Sequence, residues 1–205
     1  MKETGKPVER IIVYVHGQGG GPEEAEHYQP LFRDCRVVGF DYTSRTPWEA
    51  REEFPGFFDT LRGGNRPVTV IANSIGAFFV MSALSERQVE KAYFISPVVD
   101  MEGLIGKMMT WAGVSERELR ERGVIETDFG EKLSWEYLSY VREHPLHWSV
   151  PTHILYGGRD DLTSLKTISG FAEKTGATLT VMEDGEHWFH TEEQMRFLDR
   201  WLQSF

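Results

Sequence analysis

Six short apolar segments recur along the chain, and they predict the strands of a β-sheet. Each segment is rich in Val, Ile, Tyr or Phe, and its apolar residues are nearly continuous rather than alternating with polar ones. This pattern is typical of parallel strands that are covered on both faces. The predicted strands are residues 10–16, 35–41, 67–73, 91–97, 152–158 and 178–184.

Five segments with a helical pattern lie between or after these strands. The last of them places Met195, Leu198 and Trp201 at helical spacing, which predicts one apolar helix face. The alternation of strands and helices predicts an α/β fold with a mostly parallel sheet of about six strands and helices on both faces. The predicted helices are residues 23–32, 47–61, 75–86, 165–175 and 192–202.

The connection from residue 101 to residue 150 departs from this alternation. No strand is predicted in it, and its sequence indicates several short helices, so we expect a small helical cap inserted into a single domain that spans residues 1–205. Met and aromatic side chains adapt to irregular apolar shapes, which makes Met108, Met109 and Trp111 candidates for substrate binding. The same side chains are also suited simply to pinning the cap helices to the domain beneath.

Composition and charge narrow the classes of partner. The chain has 205 residues, of which 40% are hydrophobic, so one folded domain is expected and disorder is excluded for the bulk of it. Its formal net charge is −10, from 22 Lys and Arg against 32 Asp and Glu, so nucleic acid and anionic membrane surfaces are not expected as partners. The oligomeric state stays open.

Apolar run lengths and cysteine usage predict a cytoplasmic protein. No apolar run approaches the roughly 20 residues needed to cross a bilayer, and the N-terminal residues lack the apolar stretch of a signal peptide. Cys35 is the only cysteine, which excludes an internal disulfide and a cysteine-based zinc site. A small buried hydrophobic residue would serve at its position, so we expect Cys35 to be a packing residue.

A serine stands at the junction between the third predicted strand and the helix that follows it. Asn73, Ser74 and Ile75 would form a tight turn that holds the Ser74 hydroxyl at the carboxyl edge of the sheet. Such a turn requires small residues two positions before and after the serine, because the backbones nearly touch, and this chain has Ala72 and Gly76 there. The usual pattern has glycine at both positions, so Ala72 is a conservative departure. A serine that merely caps the helix is the alternative interpretation.

A base and an acid follow in the order Ser, Asp, His. A serine hydroxyl is a poor nucleophile until a base removes its proton, and His187 follows the last predicted strand across a glycine turn. Two carboxylates, Asp160 and Asp161, follow the preceding strand and are candidates for orienting the histidine. All these groups therefore stand on loops at one edge of the predicted sheet.

The ordered motifs Ala-Asn-Ser-Ile-Gly, Gly-Gly-Arg-Asp-Asp and Asp-Gly-Glu-His make the chain resemble the α/β-hydrolase family over nearly its whole length. In that family the acid commonly stands three residues after the glycine that ends its strand. The resemblance therefore points to Asp160, which follows Gly157 in this way. Some members draw the acid from an earlier strand, which keeps Asp100 open, and Asp161 is a second alternative.

Two backbone N–H groups are expected to stabilise the oxyanion that forms when the serine attacks a carbonyl. One belongs to Ile75, directly after the nucleophile. The sequence His-Gly-Gln-Gly-Gly-Gly, which begins at His16, resembles the family's HG-x-G turn after the first strand, and this makes the backbone N–H of Gln18 the second candidate. His16 itself is expected to fasten the turn, and the glycines allow this loop to lie close to a substrate.

Two other kinds of site fit the sequence poorly. A dinucleotide-binding loop requires the pattern G-x-G-x-x-G, but Pro22 stands where the third glycine belongs. His187 and His190 lie near Glu186, but a metal there would remove the histidine as a base, and no convincing third ligand stands nearby in sequence. Neither a cofactor nor a metal is therefore expected.

The resemblance implies a serine hydrolase that cleaves a small carboxylic ester through an acyl-enzyme intermediate. Its expected partner is a small-molecule ester, and the identity of the acyl and alcohol parts depends on the geometry of the cap. Two alternatives stay open, because fold likeness cannot separate these chemistries. One is a hydrolase-like protein that binds a ligand without turnover, and the other is an acyltransferase that uses the same three residues.

Overall fold

A six-stranded parallel sheet runs through the centre of the structure, a computed structural model that describes residues 10–61 and 67–205. The described residues form eight strands: β1 Arg10–Val15, β2 Cys35–Gly39, β3 Val68–Asn73, β4 Val89–Ile95, β5 Val124–Glu126, β6 Lys132–Ser134, β7 Thr152–Gly157 and β8 Thr178–Met182. The large sheet has the order β2-β1-β3-β4-β7-β8, and all its neighbouring strands are parallel. The six predicted strands and their parallel arrangement are confirmed. Residues 1–9, to which the expectation about a signal peptide applies, lie outside the described residues.

The central strands are buried on both faces, as their continuous apolar patterns predict. Val13 and Val70 are fully buried on one face of the sheet, and Ile71 is fully buried on the other. Because the strands are parallel, their carboxyl ends meet at one edge of the sheet, where ligands of such folds bind.

Helices cover both faces of the sheet, which confirms the predicted α/β layering. The helices of the described residues are α1 Ala25–Tyr28, α2 Pro47–Leu61, α3 Ser74–Ala83, α4 Met101–Ala112, α5 Glu116–Arg122, α6 Trp135–Glu143, α7 Leu165–Thr175 and α8 Glu192–Leu202. Helices α2, α3 and α7 contribute to the core on one face of the sheet, and α1 and α8 contribute to the core on the other. In the part of the chain that the structure describes, no helix has the length and apolar character needed to span a membrane.

The single helix predicted over residues 23–32 is wrong. The structure instead has a 3-10 turn at Pro22–Glu24, the short helix α1, and a second 3-10 turn at Gln29–Leu31. Pro30 has no N–H group to donate, and its ring clashes with the carbonyl of the preceding helical turn. The helix therefore ends before this proline.

The connection between β4 and β7 contains strands that its sequence did not predict. It consists of α4, α5, a two-stranded antiparallel hairpin of β5 and β6, and α6. The expectation of helices alone is therefore corrected, although three helices are present. Each hairpin strand has only three residues, which is too short to show the alternation that identifies a strand. Leu119 of α5, Leu133 of β6 and Leu138 of α6 are fully buried and join the core around α2, α3 and α7.

Candidate active site

Ser74 occupies a sharp turn directly between β3 and α3. Its backbone φ is 47°, in the left-handed region that residues other than glycine rarely adopt. A side chain on Gly76 would collide with the backbone carbonyl oxygen of His16, so this position requires glycine. The methyl group of Ala72 is accommodated, fully buried, on the strand side of the turn. Position 76 therefore requires glycine, whereas position 72 tolerates alanine.

The side chains of Ser74, His187 and Asp160 form a continuous chain of contacts. The Ser74 Oγ lies 2.8 Å from Nε2 of His187, and Nδ1 of His187 lies 2.7 Å from Oδ2 of Asp160. The Asp160 side chain is fully buried, and its other oxygen accepts hydrogen bonds from the backbone N–H groups of Leu162 and Thr163, at 2.8 and 3.0 Å. A carboxylate held in this way favours a proton on Nδ1, which leaves Nε2 free to accept the serine proton.

Glycines bring the loops that carry Asp160 and His187 together. A side chain on Gly157, at the end of β7, would collide with the backbone carbonyl of Glu186, and the Arg159 N–H donates to the carbonyl of Gly185 at 2.8 Å. These backbone contacts join the loop after β7 to the loop after β8. They fix the position of the Asp160 carboxylate relative to the His187 imidazole.

Neither alternative acid contacts the imidazole. Asp100 begins α4, where its side chain accepts a hydrogen bond of 2.9 Å from the Gly103 N–H. Asp161 is exposed, and its backbone carbonyl accepts a hydrogen bond from the Lys107 ammonium group of α4. Of the three candidate carboxylates, the structure brings Asp160 to the histidine.

The glycine loop, residues 16–21, lies against the serine turn. A Cβ atom on Gly17 would stand 3.2 Å from the Cβ of Ser74 and 3.5 Å from the backbone oxygen of Asn73. Gln18 follows Gly17 directly, and Ile75 lies in the first turn of α3, where backbone N–H groups have no partner within the helix. The two backbone groups proposed for the oxyanion therefore belong to segments that meet at Ser74.

His16 fastens the base of this loop. Its ring stacks on Tyr42 with the ring centres 4.3 Å apart, and the Tyr42 hydroxyl donates to the His16 carbonyl at 2.8 Å. Burial raises the pKa of Tyr42, and the nearby Glu53 and Glu24 carboxylates raise it further, so the hydroxyl stays protonated and able to donate. These contacts agree with the expected structural part of His16.

The three residues predicted to bind substrate have different surroundings. Met109 is buried in the core, Met108 is half-buried against it, and Trp111 is 49% exposed, with its ring edge-on to Phe129 of the β5–β6 turn. Among the described residues, none of the three shares a hydrogen bond with Ser74, whose side-chain partner is His187. A crevice of about 510 Å³ beside α3, α4 and α7 is lined by other residues, among them Phe78, Met101, His147, Trp148 and Phe171.

Two features of this edge carry no recognisable sequence signal. Ser96, directly after β4, also has a positive φ, 42°, and its fully buried hydroxyl has no hydrogen-bond partner among the described residues. The Tyr14 hydroxyl of β1 donates to the carboxylate of Glu24, ten residues later in the chain. Tyr14 reads as an ordinary apolar strand residue, and Glu24 as one of several surface acids.

Within residues 10–61 and 67–205, no three His, Cys, Asp or Glu side chains converge as metal ligands would. His190 lies instead with its Nδ1 2.8 Å from the backbone oxygen of Trp188 and 3.5 Å from the Glu186 carboxylate.

A six-stranded parallel sheet with a serine, a histidine and an aspartate in contact at its carboxyl edge defines the α/β-hydrolase class. The model of the alpha/beta hydrolase family matches residues 12–200. The chain belongs to this family, as its motifs predict.

Solved structures of the same class resemble the whole chain. The alpha/beta hydrolase domain-containing protein 10 from mouse superposes with a TM-score of 0.76 at 13% identity, covering 95% of this chain and 88% of that one. Est1E from Butyrivibrio proteoclasticus gives a TM-score of 0.72 at 15% identity, over 99% and 89% of the two chains. The monoacylglycerol lipase from Paleococcus ferrophilus gives 0.63 at 16% identity, over 95% and 94%. Among curated protein sequences, none is significantly similar to this chain.

Proposed function

We propose that the protein is a serine hydrolase that cleaves a small carboxylic ester through an acyl-enzyme intermediate. The observation that carries this proposal is the unbroken chain of contacts from the Ser74 hydroxyl through His187 to the buried carboxylate of Asp160, at 2.8 and 2.7 Å. A helix-capping serine would need neither the histidine nor the aspartate.

In the first half of the reaction, the Ser74 oxygen forms a bond to the ester carbonyl carbon. The hydroxyl proton passes to Nε2 of His187, the carbonyl electron pair moves to its oxygen, and Asp160 stabilises the imidazolium that results. The backbone N–H groups of Gln18 and Ile75 donate to the oxyanion, an interaction that commonly contributes about 3 kcal/mol per donor.

Collapse of the tetrahedral intermediate expels the alcohol and leaves an acyl group on Ser74. His187 gives its proton to the departing alkoxide, and then removes a proton from a water molecule that attacks the acyl carbonyl. The second collapse releases the carboxylic acid and returns the proton to Ser74. Neither a metal nor an organic cofactor takes part in these steps.

Two kinds of observation support an ester substrate and a cap. An alkoxide leaving group demands less protonation than an amine, and the similar structures include a monoacylglycerol lipase. Residues 101–150 would act as a cap of this single domain, because Lys107 contacts the loop that follows β7 and Glu131 contacts Gln18 in the glycine loop. We further propose a cytoplasmic location, because no apolar run of the sequence approaches the length needed to cross a bilayer.

Labelling with a fluorophosphonate tests the nucleophile, because such probes react only with an activated serine. The wild type should be labelled once, at Ser74, and Ser74→Ala should be folded and unlabelled. Ser96→Ala is the matched control, since Ser96 also has a positive φ at the end of the neighbouring strand, but its hydroxyl has no hydrogen-bond partner among the described residues. Labelling of Ser74→Ala, or of Ser96 in the wild type, would contradict the assignment.

Labelling, together with product analysis in the presence of added alcohols, separates the two alternative functions. A ligand-binding protein without turnover would bind esters and leave the probe unreacted. An acyltransferase would be labelled at Ser74, but in the presence of added alcohols it would form new ester faster than free acid. The proposed hydrolase should release mainly the free acid at all but very high alcohol concentrations.

A further inference from the structure

A partly buried hydrogen bond joins Tyr14 and Glu24 beneath the glycine loop. Tyr14 is only 1% exposed, and its hydroxyl donates to the half-buried carboxylate of Glu24. The ring of Tyr28 packs against Tyr14 with the centres 5.0 Å apart, and this covers the pair from the side of α1. None of these three residues touches Ser74, His187 or Asp160 in any recorded contact, so the proposed reaction leaves the bond unexplained.

The bond lies at the base of the glycine loop, which packs against the turn that carries Ser74. Tyr14 precedes the glycine loop on β1, which pairs with β3, the strand that ends at Asn73, the residue before the nucleophile. The Glu24 carboxylate lies under the loop, with oxygens 2.8 and 3.0 Å from where a Cβ on Gly20 would stand. The Glu24 N–H also donates to the carbonyl of Gly21, at 3.3 Å. Glu24 therefore contacts the loop through both its side chain and its backbone.

Physical chemistry makes this contact a strong constraint on the loop. A carboxylate removed from water is costly unless it is hydrogen-bonded, and hydrogen bonds to charged groups contribute roughly twice as much as neutral ones. Burial, together with Glu24 itself, raises the pKa of Tyr14, so the hydroxyl remains a donor at all physiological pH values. Moving the end of the loop that carries Glu24 away from β1 would break this bond and leave the carboxylate without its partner.

We propose that Tyr14 and Glu24 are positioning residues that hold the glycine loop against the nucleophile turn, so that the Gln18 N–H points at the oxyanion. The inference rests on the proposed function for its catalytic consequence, because Gln18 and Ser74 carry the reaction. The position of the loop is a separate physical claim that is measurable without turnover.

Tyr14→Phe is the variant that tests the contact, and Tyr93→Phe is its matched control. Both tyrosines lie on the same face of the sheet, and both pair in register with Ile71, from β1 and from β4 respectively. Both are nearly fully buried, and the ring of Tyr93 packs on Trp201 rather than near the glycine loop. The two variants remove the same atom from equivalent levels of the sheet.

Kinetics with p-nitrophenyl butyrate give the first readout. Loss of a whole oxyanion donor costs ~100-fold or more in kcat, so a displaced donor in Tyr14→Phe should lower kcat roughly tenfold with KM unchanged. The inhibition constant of a short-chain trifluoromethyl ketone, which adds to Ser74 and forms an oxyanion, should rise by the same factor. Glu24→Gln, whose amide oxygen still accepts from Tyr14, should lose less activity than Glu24→Ala.

Hydrogen exchange of the backbone amides gives the second readout, which needs no substrate. Peptides that cover residues 16–21 should exchange faster in Tyr14→Phe than in the wild type or Tyr93→Phe, whereas peptides that cover residues 157–161 should not. Unchanged exchange in the loop overturns the inference, as does an equal loss of activity in the two tyrosine variants. Faster loop exchange in a protein that hydrolyses no ester supports the positioning of the loop and contradicts the proposed function instead.

Discussion

The carboxyl edge of the sheet and the inserted segment between β4 and β7 are held in place by different interactions. At the sheet edge, backbones approach so closely that Gly76 and Gly157 leave no room for a side chain. In the insertion, α4, α5 and α6 meet partly through exposed ion pairs, such as those of Arg142 with Glu102 and Glu116. Close backbone contacts therefore determine the structure of the sheet edge, whereas side-chain contacts hold part of the insertion in place. The two regions should therefore respond differently to the same kinds of substitution.

The largest expected effect falls on the acid of the sheet edge. Asp160→Asn should lower kcat by about 10³–10⁴-fold with little change in fold, because an amide no longer favours the Nδ1 proton on His187. The measurement is steady-state hydrolysis of a p-nitrophenyl ester, with thermal melting to verify folding.

Two carboxylates beside the site serve as controls for this change. Asp161→Asn alters an exposed side chain, and Asp100→Asn keeps an oxygen that can cap α4, so both should retain most of the activity. A severe loss confined to Asp100→Asn would move the orienting carboxylate to the strand before the insertion.

Glycine substitutions compare the two regions most directly. Gly76→Ala should destabilise the fold by about 3 kcal/mol and abolish activity, because the new methyl group meets the His16 carbonyl. Gly106→Ala, within α4, has open space around the added methyl and should stabilise the protein by about 0.5–1 kcal/mol. Urea unfolding measures both. Equal destabilisation by the two substitutions would remove the distinction between edge and insertion.

Truncations in α4 test whether the insertion selects substrate. Met108→Ala, Met109→Ala and Trp111→Ala should each change the ratio of kcat/KM between short and medium acyl esters, since each buried methylene of substrate contributes about 0.8 kcal/mol. Met109→Ala should in addition cost about 2 kcal/mol of stability, because its side chain is buried in the core. Rates for all esters that change by one common factor would show that these residues only pack the insertion.

The smallest effect is expected from the ion pairs of the insertion. Arg142→Gln should lower the melting temperature slightly, and the difference from the wild type should disappear in about 1 M salt, where charges are screened within a few ångström. Arg117→Gln is the control, because Arg117 is 88% exposed and lies 3.9 Å from its nearest carboxylate, that of Glu121. A salt-independent loss would indicate that Arg142 acts through packing.

The parts of the molecule that were predictable from sequence depend on local patterns. The apolar run of β3 and the small residues around Ser74 specify a strand, a tight turn and a helix within a few residues. Gly157 and Gly185 similarly mark the turns that follow β7 and β8. Because parallel strands bring such turns to one edge of the sheet, the sequence predicts that the three side chains lie at the same edge.

The parts that were not predictable depend on contacts between distant residues or on very short elements. The hairpin of β5 and β6 lacks the length for a detectable period. Pro30 interrupts the helix predicted over residues 23–32, because proline lacks the N–H group that a helix interior requires. The apolar pattern alone does not reveal this interruption. The bond between Tyr14 and Glu24 joins a strand to a turn, and no periodicity in sequence encodes such a pair. The different exposures of Met109 and Trp111 likewise arise only when the insertion packs.

The order of strands in the sheet also bears on when this protein becomes reactive during its synthesis. Ser74 follows the central strand β3, whereas His187 follows β8, which is the last strand in the chain and pairs with β7 at the sheet margin. Synthesis proceeds from the N-terminus, and a domain generally folds as a unit, so Ser74 leaves the ribosome well before its base does. On the proposed mechanism, a nascent chain holds an inert hydroxyl until β8 docks. Ester hydrolysis would then begin only after β8 has paired with β7.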